Sequence, residues 1–263
     1  YLYMLPKILC PIYINKKNLI RIGPKKDGGY IVHKNFLKKV DLIVSCGLSD
    51  DWNFEKDFLK RNKDCIVHAY DHTLNKKFWI KKLKKDLLNL LLLKGFKPRN
   101  VISMLKFLQY KLFFKSKNKH YLKRIGNGKN GSIRIKDIIN FKKNYKKLLL
   151  KVDIEGDEYK ILNDIILCSN KIYGVIIEFH NVHLKMNIIK SFIKRAKNFS
   201  IIHIHGNNFE NLDDNNDPKC IEITLINKKY LSIKKRRNFN KYPIYGLDYP
   251  NLKRKKDIDL RFE

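Results

Sequence analysis

Three short stretches place ionisable side chains where a reaction could use them. Ser45-Cys-Gly-Leu-Ser-Asp-Asp51, Asp71-His-Thr73 and Asp153-Ile-Glu-Gly156 each follow a run of apolar residues. A carboxylate at the edge of such a run can accept hydrogen bonds from hydroxyls or take a proton as a general base. His180 closes a fourth apolar run, and His203 and His205 lie in a fifth; an imidazole titrates near neutral pH and suits the same task. His180 is the first choice of base on pKa and Asp153 the choice on position, with Glu155 and His205 as further candidates. His203 and His205 are two apart on a strand-like segment, so they share a face. With Asp153, Glu155 or His180 they could hold a divalent metal that lowers the pKa of an acceptor hydroxyl; the other reading is that they line the acceptor pocket through hydrogen bonds.

These carboxylates stand out against their background. The 263 residues carry 57 Lys+Arg against 25 Asp+Glu, a formal charge of +32. Lys far outnumbers Arg and is scattered along the chain, with Ile and Asn inflated beside it. AT-rich coding produces that pattern without selection, and phosphate recognition would favour the bidentate fork of Arg. The charge is therefore weak evidence for a polyanionic partner, and nucleic acid is disfavoured. A further acidic group occupies the Asn-Leu-Asp-Asp-Asn-Asn-Asp stretch ending at Asp217.

Hydrophobic residues make up 44% of the chain and aromatics 12%, enough for a packed core. The five cysteines are widely spaced and form no CxxC pair, which points to reduced thiols, a cytoplasmic setting and no structural zinc site. The chain opens at Tyr1, which leaves room for residues upstream. The first apolar stretch is broken by Pro6, Lys7 and Pro11, and the Leu87 to Leu93 run is short and reads as a core-facing helix, so no membrane span is expected.

The elements that must position these groups alternate in type. Strands are expected at 40–46, 66–70, 147–152, 172–179, 201–205 and 220–226, with a further one at 121–125. Helices are expected at 51–61, 158–167 and from about Met186 to Ile193, where apolar residues recur at helical spacing. Residues 76–120 read as a helical insertion of one or two Lys-faced helices divided at Pro98, 1–39 as an N-terminal extension with a glycine turn, and 228–263 as a basic tail. No repeat or linker divides the chain, so residues 1–263 are expected to form one domain. Alternating strands and helices imply an α/β doubly wound, mostly parallel sheet whose ligands bind at the carboxyl ends of the strands.

Gly47 after the first core strand and Asp71 at the end of the second are spaced as in a nucleotide fold, where the acidic residue takes the ribose hydroxyls. A GxGxxG phosphate loop is absent, and Ser49, Asp50 and Asp51 follow Gly47. Carboxylates there repel a pyrophosphate and suit a nucleoside with a positive group, such as the sulfonium of S-adenosylmethionine. The plain alternative is a turn glycine and a helix-capping Asp.

Arg21-Ile-Gly-Pro-Lys-Lys-Asp-Gly-Gly-Tyr30, Ser45 to Glu55, His68-Ala-Tyr-Asp-His-Thr73, Leu150-Lys-Val-Asp-Ile-Glu-Gly-Asp-Glu158, Ile177-Glu-Phe-His180, His203-Ile-His-Gly-Asn-Asn208, Glu222-Ile-Thr224 and Leu247-Asp-Tyr-Pro-Asn251 together resemble the successive signatures of the FkbM-type methyltransferases. The resemblance runs from about Arg21 to the C-terminus. It implies a class I, Rossmann-like methyltransferase fold with S-adenosyl-L-methionine as methyl donor and a sugar, glycan precursor or related small molecule as acceptor. It further implies that Ser45, Gly47, Asp50 and Asp71 surround the cofactor and that Asp27, Gly28 and Gly29 close over it. The family's richer glycine loop is reduced here to Cys46-Gly47-Leu48. Two rival readings remain: an RNA-directed methyltransferase using the Lys-rich surface, and a non-catalytic binding protein on the same fold. The oligomeric state is not legible.

Overall fold

The computed structural model describes residues 2–91, 98–142, 144–209, 218–231 and 241–263. In chain order the strands are β1 (Leu2–Leu5), β2 (Leu19–Ile22), β3 (Tyr30–His33), β4 (Leu42–Cys46), β5 (Ile66–Tyr70), β6 (Lys119–Tyr121), β7 (Leu148–Val152), β8 (Ile172–His180), β9 (Phe199–Gly206), β10 (Cys220–Asn227) and β11 (Asp259–Phe262). The α-helices are α1 (Asn35–Lys39), α2 (Asn53–Arg61), α3 (Lys76–Leu91), α4 (Pro98–Phe113), α5 (Ile135–Phe141), α6 (Leu162–Leu167) and α7 (Val182–Arg195).

Seven strands form the central sheet in the order β6-β5-β4-β7-β8-β10-β9. The first five run parallel, and β10 enters antiparallel between β8 and β9. This is a doubly wound, mostly parallel α/β fold. The order reverses at β4, whose neighbours are β5 and β7, so the carboxyl ends of those three strands form the crevice where such sheets bind ligands.

Alternation along each strand builds two cores. Leu42, Val44, Leu148, Leu150, Val175 and Ile177 face α5, α6 and α7, while Ile43, Val67, Leu149 and Ile176 face Phe36 of α1, Phe54 and Phe58 of α2 and Trp79 of α3. Because both faces are covered, the central strands are buried at nearly every position and read as unbroken apolar runs.

Three expectations need correction. The strand expected at 121–125 lies at Lys119–Tyr121, where it finds the free edge of β5 and pairs with His68–Tyr70. Leu87 and Leu88, at the start of the apolar run, do not face the core and are 49% and 55% exposed. Packing of Trp79 on Phe107 and Tyr110 sets the rotation of α3, and two turns later the buried position falls on Asp86; the rest of the run lies outside the residues whose side chains are described. The described residues of the 228–263 segment, 228–231 and 241–263, also carry more order than its basic composition suggests. Its last residues form β11, parallel to β1, and Tyr242, Ile258 and Leu260 are buried.

Candidate functional site

A cavity of about 520 Å³ opens at the carboxyl ends of β4, β5 and β7, lined by Gly47, Leu48, Ser49, Asp71, Asp153 and Glu155 among others. Its volume is that of an ordinary small-molecule site. A larger depression of about 960 Å³ against α5 gathers none of the strand-end groups.

Gly47 is fixed by backbone crowding. Its φ is +78°, and a Cβ there would lie 1.5 Å from the Asp153 carbonyl oxygen. Glycine at this turn therefore allows β4 and β7 to close on each other, which brings Asp153 to the cavity. Asp71 is bound just as firmly. Its Oδ2 accepts from Leu48 N and Ser49 N at 2.9 and 2.8 Å, and its Oδ1 from Thr73 N and Thr73 Oγ1 at 2.7 and 2.6 Å. Burial alone would raise this carboxyl, but the Thr73, Leu48 and Ser49 donors hold it below the usual range. Four donors fill a carboxylate's ordinary complement.

Beyond β7 the groups answer one another. His180 Nε2 lies 3.5 Å from Glu155, 3.8 Å from Glu178 and 4.0 Å from Asp153, and Nδ1 lies 3.4 Å from Glu158. All four are charge contacts longer than an ordinary hydrogen bond. Glu158, fully buried, anchors the arrangement by accepting from His180 N at 2.7 Å and Gly156 N at 2.8 Å. Burial would depress the His180 imidazole, but Glu158, Glu178 and Asp153 raise it to about 9. Burial conversely pushes the Asp153 carboxyl up to about 6, against the pull of Lys151 and His180. Burial and the neighbouring Asp153 and Glu222 hold Glu178 well above the carboxylate range. It accepts from Tyr30 Oη, Asn207 Nδ2 and Cys220 Sγ at 3.2, 2.8 and 3.1 Å.

His203 and His205 do share a face, but each turns to the C-terminal segment. His203 Nε2 is 3.1 Å from Asp248 Oδ2, and His205 Nε2 is 3.0 Å from Asp257 Oδ1, with Glu222 3.4 Å from Nδ1. His205 is 1% exposed and lines none of the described cavities. Among the described residues, three groups present possible metal-ligating atoms within 4.8 Å of one another: Asp153/Glu155/His180, Glu178/His180/Cys220 and Asp27/Glu178/Glu222. Neither His203 nor His205 belongs to them. In the first two the imidazolium of His180 already supplies positive charge.

Of the sequence candidates, Gly47, Asp71, Asp153 and Glu155 line the cavity and His180 lies against the last two. The rest lie elsewhere. Ser45 is fully buried and donates to Glu55 Oε1 at 2.6 Å; Asp50 pairs with Lys82 and Lys106; and the Asp27-Gly28-Gly29-Tyr30 turn sits against Glu178 and Glu222 instead of among the cavity-lining residues. The acidic stretch ending at Asp217 lies outside the described residues. Sequence reasoning assigned no role to Lys151, Glu178 and Glu222. Lys151, 5% exposed, reaches Glu55 at 3.8 Å and the Gly47 carbonyl at 3.5 Å. A charge inside an apolar strand run, as in Ile177-Glu-Phe and Ile221-Glu-Ile, was the available signal, because buried charges require partners.

All five cysteines are free and buried, and no helix among the described residues is long and apolar enough to cross a membrane. No family model matches the chain. No curated protein matches it either. Among solved structures, the chain is similar to a fibrillarin pre-rRNA processing protein of Methanococcus jannaschii at 11% identity, covering 73% of this chain and 68% of that one with a TM-score of 0.39. It is also similar to a precorrin-6y C5,15-methyltransferase of Geobacter metallireducens GS-15, at 6% identity over 73% and 84% of the two chains with a TM-score of 0.37. A fibrillarin/Nop5p complex gives 8% identity over 85% and 99%, with a TM-score of 0.37. Likeness at this level says nothing about substrate.

Proposed function

We propose that this protein is an S-adenosylmethionine-dependent O-methyltransferase acting on a sugar, glycan precursor or related small molecule, as the FkbM resemblance implies. The observation that carries the reading is the cavity at the switch point of the sheet, where Asp71 and the Gly47 turn face Asp153 and Glu155 across one small-molecule volume. Its carboxylates suit a cationic nucleoside, and Lys123 and Arg124 on the same wall leave the cavity without a single sign of charge. The cofactor, when bound, supplies an electrophilic methyl group.

The chain's own residues position the acceptor and take its proton. A general base works best with a pKa near the working pH, and Asp153, at about 6, meets that condition. His180 is cationic at neutral pH, so its role passes from base to partner: it stabilises ionised Asp153. Glu155, with its side chain 86% exposed, is free to meet an acceptor hydroxyl.

Calorimetric titration of the full chain with S-adenosylmethionine tests the reading. Asp71→Ala, checked for folding by circular dichroism, weakens binding by about tenfold or more, equivalent to ~1.4 kcal/mol. Absence of binding by the unaltered protein overturns the proposal, and absence of methyl transfer to any of a panel of sugar acceptors in a protein that binds the cofactor overturns the acceptor class.

A further inference from the structure

We propose that the outer face of the α3–α4 hairpin docks on an anionic lipid surface. Helix α4 is apolar on two sides. On the inner side Phe107 and Tyr110 pack on Trp79 with ring centroids 5.2 and 5.0 Å apart, and Tyr110 and Phe113 pack on Trp52. On the other side Leu105, Leu108 and Leu112 recur at i, i+3 and i+7, the spacing of a helix stripe made to be buried. They are 46%, 55% and 72% exposed. Helix α3 adds Ile80, Leu87 and Leu88, 43%, 49% and 55% exposed. Six large aliphatic side chains are thus exposed on these two packed helices, where soluble surfaces usually scatter them singly.

The chain-wide excess of Lys says little about partners, but the charge of this hairpin is more one-sided than that of the chain as a whole, and it decides what covers the leucines. Lys76, Lys77, Lys81, Lys84, Lys85 and Lys111 are all exposed on the same two helices. The sole Asp or Glu between residues 76 and 113 is Asp86, which is buried. A nucleic acid would neutralise the lysines and leave the leucines in water. A second copy would bury the leucines and bring the two sets of lysines together. An anionic bilayer accepts both at once: leucines enter the acyl boundary, and lysines reach the headgroup phosphates along their aliphatic stems. The hairpin would lie on the surface, because no described helix is long and apolar enough to cross it.

The docking face is fixed to the cavity wall. Lys82 and Lys106 both reach Asp50 Oδ2, at 2.9 and 3.3 Å. Tyr110 Oη is 2.6 Å from His120 Nδ1, and His120 Nε2 is 3.0 Å from the Asp71 carbonyl. Lipid docking would hold the cavity beside the membrane surface. The inference stands apart from the methyl-transfer reading and survives its failure.

Flotation of the full chain with vesicles of phosphatidylcholine, alone or with 30% (about three lipids in ten) phosphatidylglycerol, provides the test. Expected are at least about tenfold stronger binding to the anionic vesicles and a loss of about tenfold or more in the triple variant Leu105→Asn/Leu108→Asn/Leu112→Asn, with S-adenosylmethionine binding unchanged. Leu112→Ser alone, at the most exposed of the three positions, gives a smaller loss in the same direction and guards against misfolding of the triple variant. Equal binding of the unaltered and triple-variant proteins to anionic vesicles, or no vesicle binding at all, overturns the proposal. So does a dimer in solution that the triple variant dissociates, or single-stranded RNA binding that depends on the same leucines.

Discussion

The two halves of the sheet edge hold their charges by different means. On the β4–β5 side, Asp71 is satisfied by three backbone amides and a hydroxyl, and Gly47 is locked by contact with the Asp153 carbonyl. On the β7–β8–β10 side, Asp153, Glu155, Glu158 and Glu178 gather around His180, so the protonation of His180, Asp153 and Glu178 depends on their neighbours. Backbone donors do not titrate. The first side therefore presents a fixed charge suited to holding a ligand, and the second a set of groups that can pass a proton.

The largest effect should come from breaking the junction between the two. Gly47→Ala puts a methyl into the Asp153 carbonyl at a φ that alanine disfavours, and is expected to cost about 4 kcal/mol or to prevent folding; urea unfolding measures it. Next, Glu158→Ala removes the acceptor of the His180 and Gly156 amides. A loss of about 2–3 kcal/mol is expected, together with a fall in the His180 pKa read from imidazole proton shifts. A purely structural role for Glu158 would give the first change without the second.

The third effect separates the two sides by pH. The folded-state pKa of His180, about 9, is raised above the unfolded value. Its contribution is therefore complete below about 6.5 and lost as pH rises through about 9, a change of about 3 kcal/mol. Asp71 has a lowered pKa, so its contribution is present above the ordinary Asp value and lost as pH falls below it. Urea midpoints from pH 6 to 10 should fall for the unaltered protein and stay flatter for His180→Asn, while Asp71→Asn should keep the shape of that range and flatten only the limb measured below about pH 4.

The sheet was legible because strands covered on both faces must be continuous apolar runs, and six of its seven strands could be placed on that pattern within a few residues. The strand-end rule then led to Gly47, Asp71, Asp153 and His180. It did not lead to the state of His180, which depends on Glu158 lying 22 residues away in sequence and on Glu178, hidden in an apolar run. His203 and His205 misled for a related reason. Their spacing is that of a ligand pair, but their acids arrive from a segment 45 and 52 residues further along, a distance over which strand periodicity carries no information. The exposed leucines of α4 follow the same lesson in reverse: helical spacing identifies a stripe, and tertiary packing chooses which stripe is buried.

The pairing of β1 with β11 has a mechanical meaning. The strands run parallel, with Leu2 opposite Asp259 and Leu5 opposite Phe262, and the Lys7 and Glu263 amides donate to the Glu263 and Leu5 carbonyls. Tension applied between Leu2 and Glu263 pulls the two strands along their length in opposite directions. The hydrogen bonds between them then share the load in shear, and cannot open one after another like a zipper.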